Sequence, residues 1–93
     1  MPAYATGETV TVSGTAIGGT AATYLHATEC FMVVQDQPIR WRADGTDPTS
    51  AVGFYAPAGT SIQLMSYQEI ANFRAISDGG ASGDATLQIH YRK

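Results

Sequence analysis

The strongest constraint on this chain is how often it is interrupted. Clusters of glycine, proline, aspartate and serine fall at Gly18-Gly19, Asp36 to Pro38, Asp44 to Ser50, Pro57 to Gly59 and Asp78 to Asp84. Only short runs lie between them, and none keeps a 3.6-residue apolar period for three turns, which argues against a helical bundle. The runs alternate instead. Val10 and Val12 point one way between threonines, as in a half-buried strand. Glu29 to Gln35 is nearly continuous in apolar residues and predicts a central strand covered on both faces. In Pro38 to Ala43, Ile39 and Trp41 are expected to point inward and Arg40 and Arg42 outward; the short Asp36-Gln37 link makes these last two runs a candidate hairpin. Ser61 to Met65, Phe73 to Ser77 and Ala85 to Tyr91 complete the set, with one helical turn predicted over Tyr67 to Asn72. The expected fold is all-β: a single small β-sandwich or jelly-roll-like barrel of six to seven short strands. It occupies residues 8–93, behind an N-terminal arm over residues 1–7.

Ninety-three residues suffice for one modest core. Apolar residues make up 44% and charged residues only 14%, so the surface must be rich in uncharged polar residues or partly covered by partners. Five Lys and Arg against eight Asp and Glu give a net charge of −3, and Arg40, Arg42 and Arg74 are too few for the basic stripe that nucleic acid requires. The N-terminal residues show no basic n-region or apolar h-region, and no run approaches a membrane span, so synthesis in the cytoplasm without a membrane stage is expected. The single cysteine, Cys30, sits in an apolar run and is expected to be a buried, inert thiol.

No catalytic constellation assembles, and an enzyme is not expected. There is no Gly-x-Ser-x-Gly elbow, and Gly79 to Gly83 lacks the following lysine and helix of a phosphate loop. His26, Glu29 and Cys30 form the one cluster with metal-ligand residue types, and no second cluster completes it; no cofactor or metal is expected. His90 alternates with core residues and should face solvent or a neighbouring subunit. Asp44-Gly45-Thr46-Asp47-Pro48-Thr49 offers two carboxylates in one loop, but calcium needs six to eight oxygens, and Asp44-Gly45 and Asp47-Pro48 read more simply as successive turns. Among the aromatics, Trp41 is read as a core anchor, and Phe54-Tyr55, read as a loop pair, as the better exposed contact. Partner contacts are therefore expected at Pro2, Ala3 and Tyr4 in the arm and at Phe54 and Tyr55.

One succession of residues resembles a known group. Pro38-Ile39-Arg40-Trp41, Asp44 to Ser50, Val52-Gly53, Ala58-Gly59, Ile70 to Ile76, Ala85-Thr86-Leu87 and Tyr91 stand in an order similar to that of small structural proteins from the virion gene clusters of tailed bacteriophages. The likeness spans roughly residues 8 to 91 and is closest to capsid decoration, or cement, proteins. It implies a homo-oligomer, often a trimer, on the outside of the head shell, clamping neighbouring major capsid subunits. A tail or neck protein of the virion fits the same resemblance. Residues 38 to 49 alone are also similar to the small β-sandwich appended to chitin- and hexosamine-degrading enzymes, which implies a carbohydrate-binding module as the alternative.

Overall fold

A computed structural model describes residues 4–78 and 83–93. Seven strands and two short helices follow in the order β1 (Tyr4–Val12), α1 (Ala21–Tyr24), β2 (Glu29–Gln35), β3 (Ile39–Arg42), β4 (Phe54–Ala56), β5 (Ser61–Leu64), α2 (Tyr67–Asn72), β6 (Arg74–Ser77) and β7 (Ala85–Arg92). They form two antiparallel sheets, one in the order β1-β7-β2-β5 and the other β4-β3-β6. The all-β, sandwich-like architecture is the expected one.

A single apolar layer lies between the sheets. Val10 and Val12, Cys30, Met32 and Val34, Ile62 and Leu64, and Ala85, Leu87, Ile89 and Tyr91 all point inward from the wide sheet. Ile39, Ala56 and Ala75 answer from the narrow one. The period-2 alternation read from the sequence puts Val10, Val12, Ile39, Ile62, Leu64, Leu87, Ile89 and Tyr91 on the core face. The two helices close the end of the layer with Tyr24 and Ile70, and Phe73 fills in beneath Trp41. Helix α2 starts where its residues specify a start: Ser66 Oγ accepts from the Glu69 N–H at 3.2 Å, and Glu69 Oε1 accepts from the Met65 N–H at 2.9 Å.

Three expectations need correction. Strands β2 and β3 are not a hairpin. Both edges of β2 are taken, by β5 and β7, and β3 pairs with β4 and β6 in the other sheet. The link between them turns the chain from one sheet to the other through Asp36, whose φ is 73°. Thr86 Oγ1 donates to the Asp36 carboxylate at 2.6 Å and holds that corner. Second, the arm does not end at residue 7. Residues 4–7 belong to β1 and pair with β7 of the same chain, from Tyr4 opposite Arg92 to Gly7 opposite His90, so the domain includes them; Pro2 and Ala3 lie outside the described residues. Third, β2 is covered on one face only. Cys30, Met32 and Val34 are buried, but Phe31 is 37% exposed on the outer face and Val33 is only half-buried.

Residues 13–20 cross from the edge of the wide sheet to the edge of the narrow one. Ile17 exchanges both backbone hydrogen bonds with Ala75, at 3.0 and 2.8 Å. Two glycines make the close passage possible. A Cβ at Gly18 would sit 2.4 Å from the Phe73 carbonyl oxygen, and one at Gly19 would sit 2.2 Å from Tyr91 Oη. At the end of the crossing the Glu8 carboxylate accepts three hydrogen bonds: from the Thr20 N–H at 3.0 Å, from Thr20 Oγ1 at 2.7 Å and from Tyr91 Oη at 2.7 Å. Burial and the adjoining carboxylate hold the Tyr91 phenol well above its ordinary pKa, so it stays a donor.

A hydrogen bond to a charged acceptor is worth about 1.5–3 kcal/mol. Tyr91→Phe, which keeps the ring and removes only the donor, should therefore lower unfolding free energy by about 2 kcal/mol in urea titrations, with an unchanged m-value. Burial also pushes the Cys30 thiol up to about 11. Thiol reagents at about pH 8 should modify Cys30 only at the rate of global opening, which a rate independent of reagent concentration would reveal.

Candidate functional site

Two of the residues singled out for contact, Phe54 and Tyr55, and those singled out for turn chemistry lie along β4 of the narrow sheet and the loop that leads into it. Arg40 and Trp41 are neighbours on β3 and so face opposite ways. Opposite them on β4 stand Tyr55 and Phe54, in the register Arg40 to Tyr55 and Trp41 to Phe54. Phe54-Tyr55 is thus an edge strand rather than a loop pair, and its two rings lie on opposite faces of the sheet. Phe54 packs on Trp41 at a centroid distance of 5.1 Å, and Trp41 continues to Phe73 at 5.8 Å. Tyr55 lies under the Arg40 guanidinium, 5.4 Å from its ring centroid. Phe54 is 62% exposed and Tyr55 54%, whereas Trp41 is half-buried against the core. Among the described residues, no backbone group other than those of β3 pairs with β4. The result is a short open edge with an aromatic ring on each side of it.

The loop between β3 and β4 holds that edge in place. Asp44 is gripped by both nitrogens of the Arg42 fork, Nε at 3.1 Å from Oδ1 and Nη2 on Oδ2, and Oδ1 also accepts from the Thr46 N–H at 3.1 Å. Gly45 follows with φ 87°, a conformation that needs glycine. Both Asp44 oxygens are therefore engaged in a turn, and Asp47, the other carboxylate of the loop, is exposed. Pro48 is buried. Thr49 Oγ1 then accepts from the N–H groups of Ala51 and Val52 at 3.2 and 3.0 Å, forming a second turn. Gly53 closes the loop against the Trp41 backbone, and its carbonyl accepts from Arg40 Nη1 at 3.3 Å.

The four arginines are committed inside the chain. Arg40 pairs with Asp78 at 3.4 Å, Arg42 with Asp44 and Arg92 with Glu29 at 2.8 Å. Arg74 donates to the carbonyls of Ala71 and Phe73 at 3.1 and 2.6 Å. The cluster His26, Glu29 and Cys30 does not come together as a ligand set. His26 is exposed on the turn after α1 with φ 68°, Glu29 is held by Arg92, and the Cys30 side chain is in the core. His90 is exposed on the outer face of the wide sheet. Of the arm residues, Tyr4 opens β1. The Gly79-to-Gly83 run falls mostly outside the described residues, save for Gly83, whose carbonyl accepts from Ser77 Oγ at 2.8 Å.

Two exposed patches were not singled out in the sequence. One is the outer face of the wide sheet around Phe31. The other gathers Leu25, 49% exposed, and Tyr67, 43% exposed, around a shallow hollow where the two helices meet. For the first, the signal was present: an apolar run with both parities filled, read as cover from within the chain. For the second, four residues of α1 carry no periodic pattern to read.

The chain matches no protein-family model, and a search of characterised proteins finds no relative. Among the described residues, no helix is long and apolar enough to cross a membrane.

The Arg42 fork, followed by the Thr46 N–H, lowers the Asp44 carboxyl from 3.8 to about 2. Its folded value lies below its unfolded value. The pair therefore stabilises the fold above pH 3.8, and that contribution is lost as pH falls toward 2. A carboxyl-carbon NMR titration should give Asp44 a midpoint near 2, and Arg42→Ala should move it back most of the way to 3.8.

Proposed function

We propose that this chain is a capsid decoration protein of a tailed bacteriophage, binding the outside of an assembled head shell and stabilising it. The observation that carries this reading is the ordered succession from Pro38 to Tyr91, whose likeness to virion structural proteins extends over nearly the whole domain. The edge at Phe54 and Tyr55 supports it. Aromatic side chains displayed on a strand fixed by two turns make a rigid contact that loses little conformational freedom on binding. In this reading the partner is the major capsid protein, the oligomer is the trimer implied by the resemblance, and the protein is part of the virion surface. No catalysis, cofactor, nucleic acid or membrane enters it; four arginines held in internal bonds leave little positive charge to offer phosphates.

The mechanism is thermodynamic. A protein that binds the expanded shell better than the immature or loosened one shifts the equilibrium toward the expanded state, by about 2.7 kcal/mol per site at a concentration one hundred times its dissociation constant. The carbohydrate-binding alternative gains less from the geometry, because Phe54 and Tyr55 face opposite sides of the sheet and do not form one platform for a sugar ring.

The experiment adds purified protein to undecorated heads and follows their thermal disruption. A rise in disruption temperature that saturates at a fixed number of copies per major capsid subunit is expected, and Phe54→Ala with Tyr55→Ala should weaken it at least about tenfold if these rings are contact hot spots. Heads that melt at the same temperature with and without the protein would sink the reading. A copy number of only a few to about a dozen per particle would assign the chain to the neck or tail instead.

A further inference from the structure

The outer face of the four-stranded sheet is built unlike the rest of the surface. Its side chains form cross-strand rows: Gly7, His90, Phe31 and Gln63 in one, Thr9, Gln88, Val33 and Ser61 in the next, Thr11, Thr86 and Gln35 in the third. No Asp, Glu, Lys or Arg occurs in these rows. Charges stand only at the ends, in the Glu29–Arg92 pair and at Asp36.

Several polar groups at the centre of this face bond to one another or to its margin. Thr9 Oγ1 donates to Gln88 Oε1 at 2.7 Å, Gln88 Nε2 donates to Gln35 Oε1 at 3.3 Å, and Thr86 Oγ1 donates to Asp36 at 2.6 Å. Covering a polar group is costly when the cover leaves it without a partner. Here the ladder already supplies partners to Thr9, Gln88, Gln35 and Thr86, so these four can lose water at reduced cost. Beside the ladder lies a groove of about 540 Å³ whose walls include Gly7, Thr9, Phe31 and Val33. Among the described residues of β2, Phe31 is exposed and Val33 half-buried on this outer face.

We propose that two copies of this chain pair through the outer face of the β1-β7-β2-β5 sheet, Phe31 and Val33 of each packing against the same face of the other. Charge selects the occupant. Each copy carries a net charge of −3, so most approaches between copies set carboxylates against each other. This face is an area where like copies meet with no charge opposed. A glycan is a poorer occupant, since the Gln88 amide that would hold its hydroxyls is already engaged on both sides. Four strands about 4.8 Å apart and some six residues long at about 3.3 Å each present roughly 400 Å² per copy, about half of what a standard interface contributes. The pairing is therefore weak and concentration-dependent. An isologous face closes at two copies, and the inference stands apart from the virion reading, which implies a trimer.

The test is sedimentation equilibrium on the purified full chain from about 20 µM to about 1 mM, the range an interface of this size calls for. The average mass should climb toward twice that of the monomer, and amide NMR shifts over the same series should move on β2 and β7. Phe31→Asp should weaken association at least about tenfold. Should Phe31→Asp perturb folding by circular dichroism, Gln63→Glu, at an exposed position on β5, should still weaken association about threefold. Tyr55→Asp, on the other sheet, should leave it unchanged. A monomer mass up to about 1 mM, shifts confined to other surfaces, or association indifferent to Phe31→Asp and Gln63→Glu would each overturn the proposal.

Discussion

One apolar layer, shared by sheets of unequal width, governs this structure. Four strands lie over three, and the narrow sheet cannot cover the whole inner face of the wide one. The two helical turns supply the missing cover. Tyr24 from α1 and Ile70 from α2 enter the layer at its open end, and Tyr24 meets Tyr67 edge-on at 5.9 Å and Tyr91 at 6.1 Å. Neither helix is long enough to stand by propensity; each exists because it buries an anchor. The Glu8 carboxylate serves the same end. By bonding Thr20 and Tyr91 together it pins the crossing segment to the rim of the layer, where β1 and β7 would otherwise part from α1.

Much of this was legible in the order of residues, because alternation is a direct image of a two-faced strand. The inward positions of Val10, Val12, Ile39, Ile62, Leu64, Leu87, Ile89 and Tyr91 follow from it, and the helical turn at Tyr67 to Asn72 was legible in its helix-tolerant residues. Pairing was less legible. A two-residue link between β2 and β3 looks like a hairpin, but Asp36 in a left-handed conformation, tied to Thr86, can equally turn a chain out of its sheet. Strand β4 is three residues long and bounded by Gly53 and Pro57, too short for periodicity to register. Gly18-Gly19 read as a turn, although its glycines answer to the close approach of Phe73 and Tyr91, which only the fold reveals.

The candidate contact residues divide in the same way. The exposure of Phe54 and Tyr55 was foreseeable from two adjacent aromatics near a proline. That they straddle an open edge was not, since it depends on which strand β4 joins. The turn Asp44 to Pro48 could be read as ligand chemistry or as scaffolding, and the Arg42 fork gives its first carboxylate a scaffolding role. Low charge takes on a structural meaning here. The four arginines fix loops and strand ends, and the central rows on the outer face of the wide sheet carry no Asp, Glu, Lys or Arg.

The arrangement of β7 has a kinetic consequence. This strand lies between β1 and β2 and pairs with both, so residues near position 10 meet their neighbours near position 87. The wide sheet cannot close until β7 has been made, and loop-closure entropy must be overcome before its central contacts form. During synthesis β1 and β2 wait with open edges and no strand between them, relying on β5 alone to shield one side of β2. The last of the strands is therefore the keystone. A chain shortened before Ala85 would lose not one strand from an edge but the junction of the whole sheet, and newly made chains are most open to mispairing in the interval before β7 arrives.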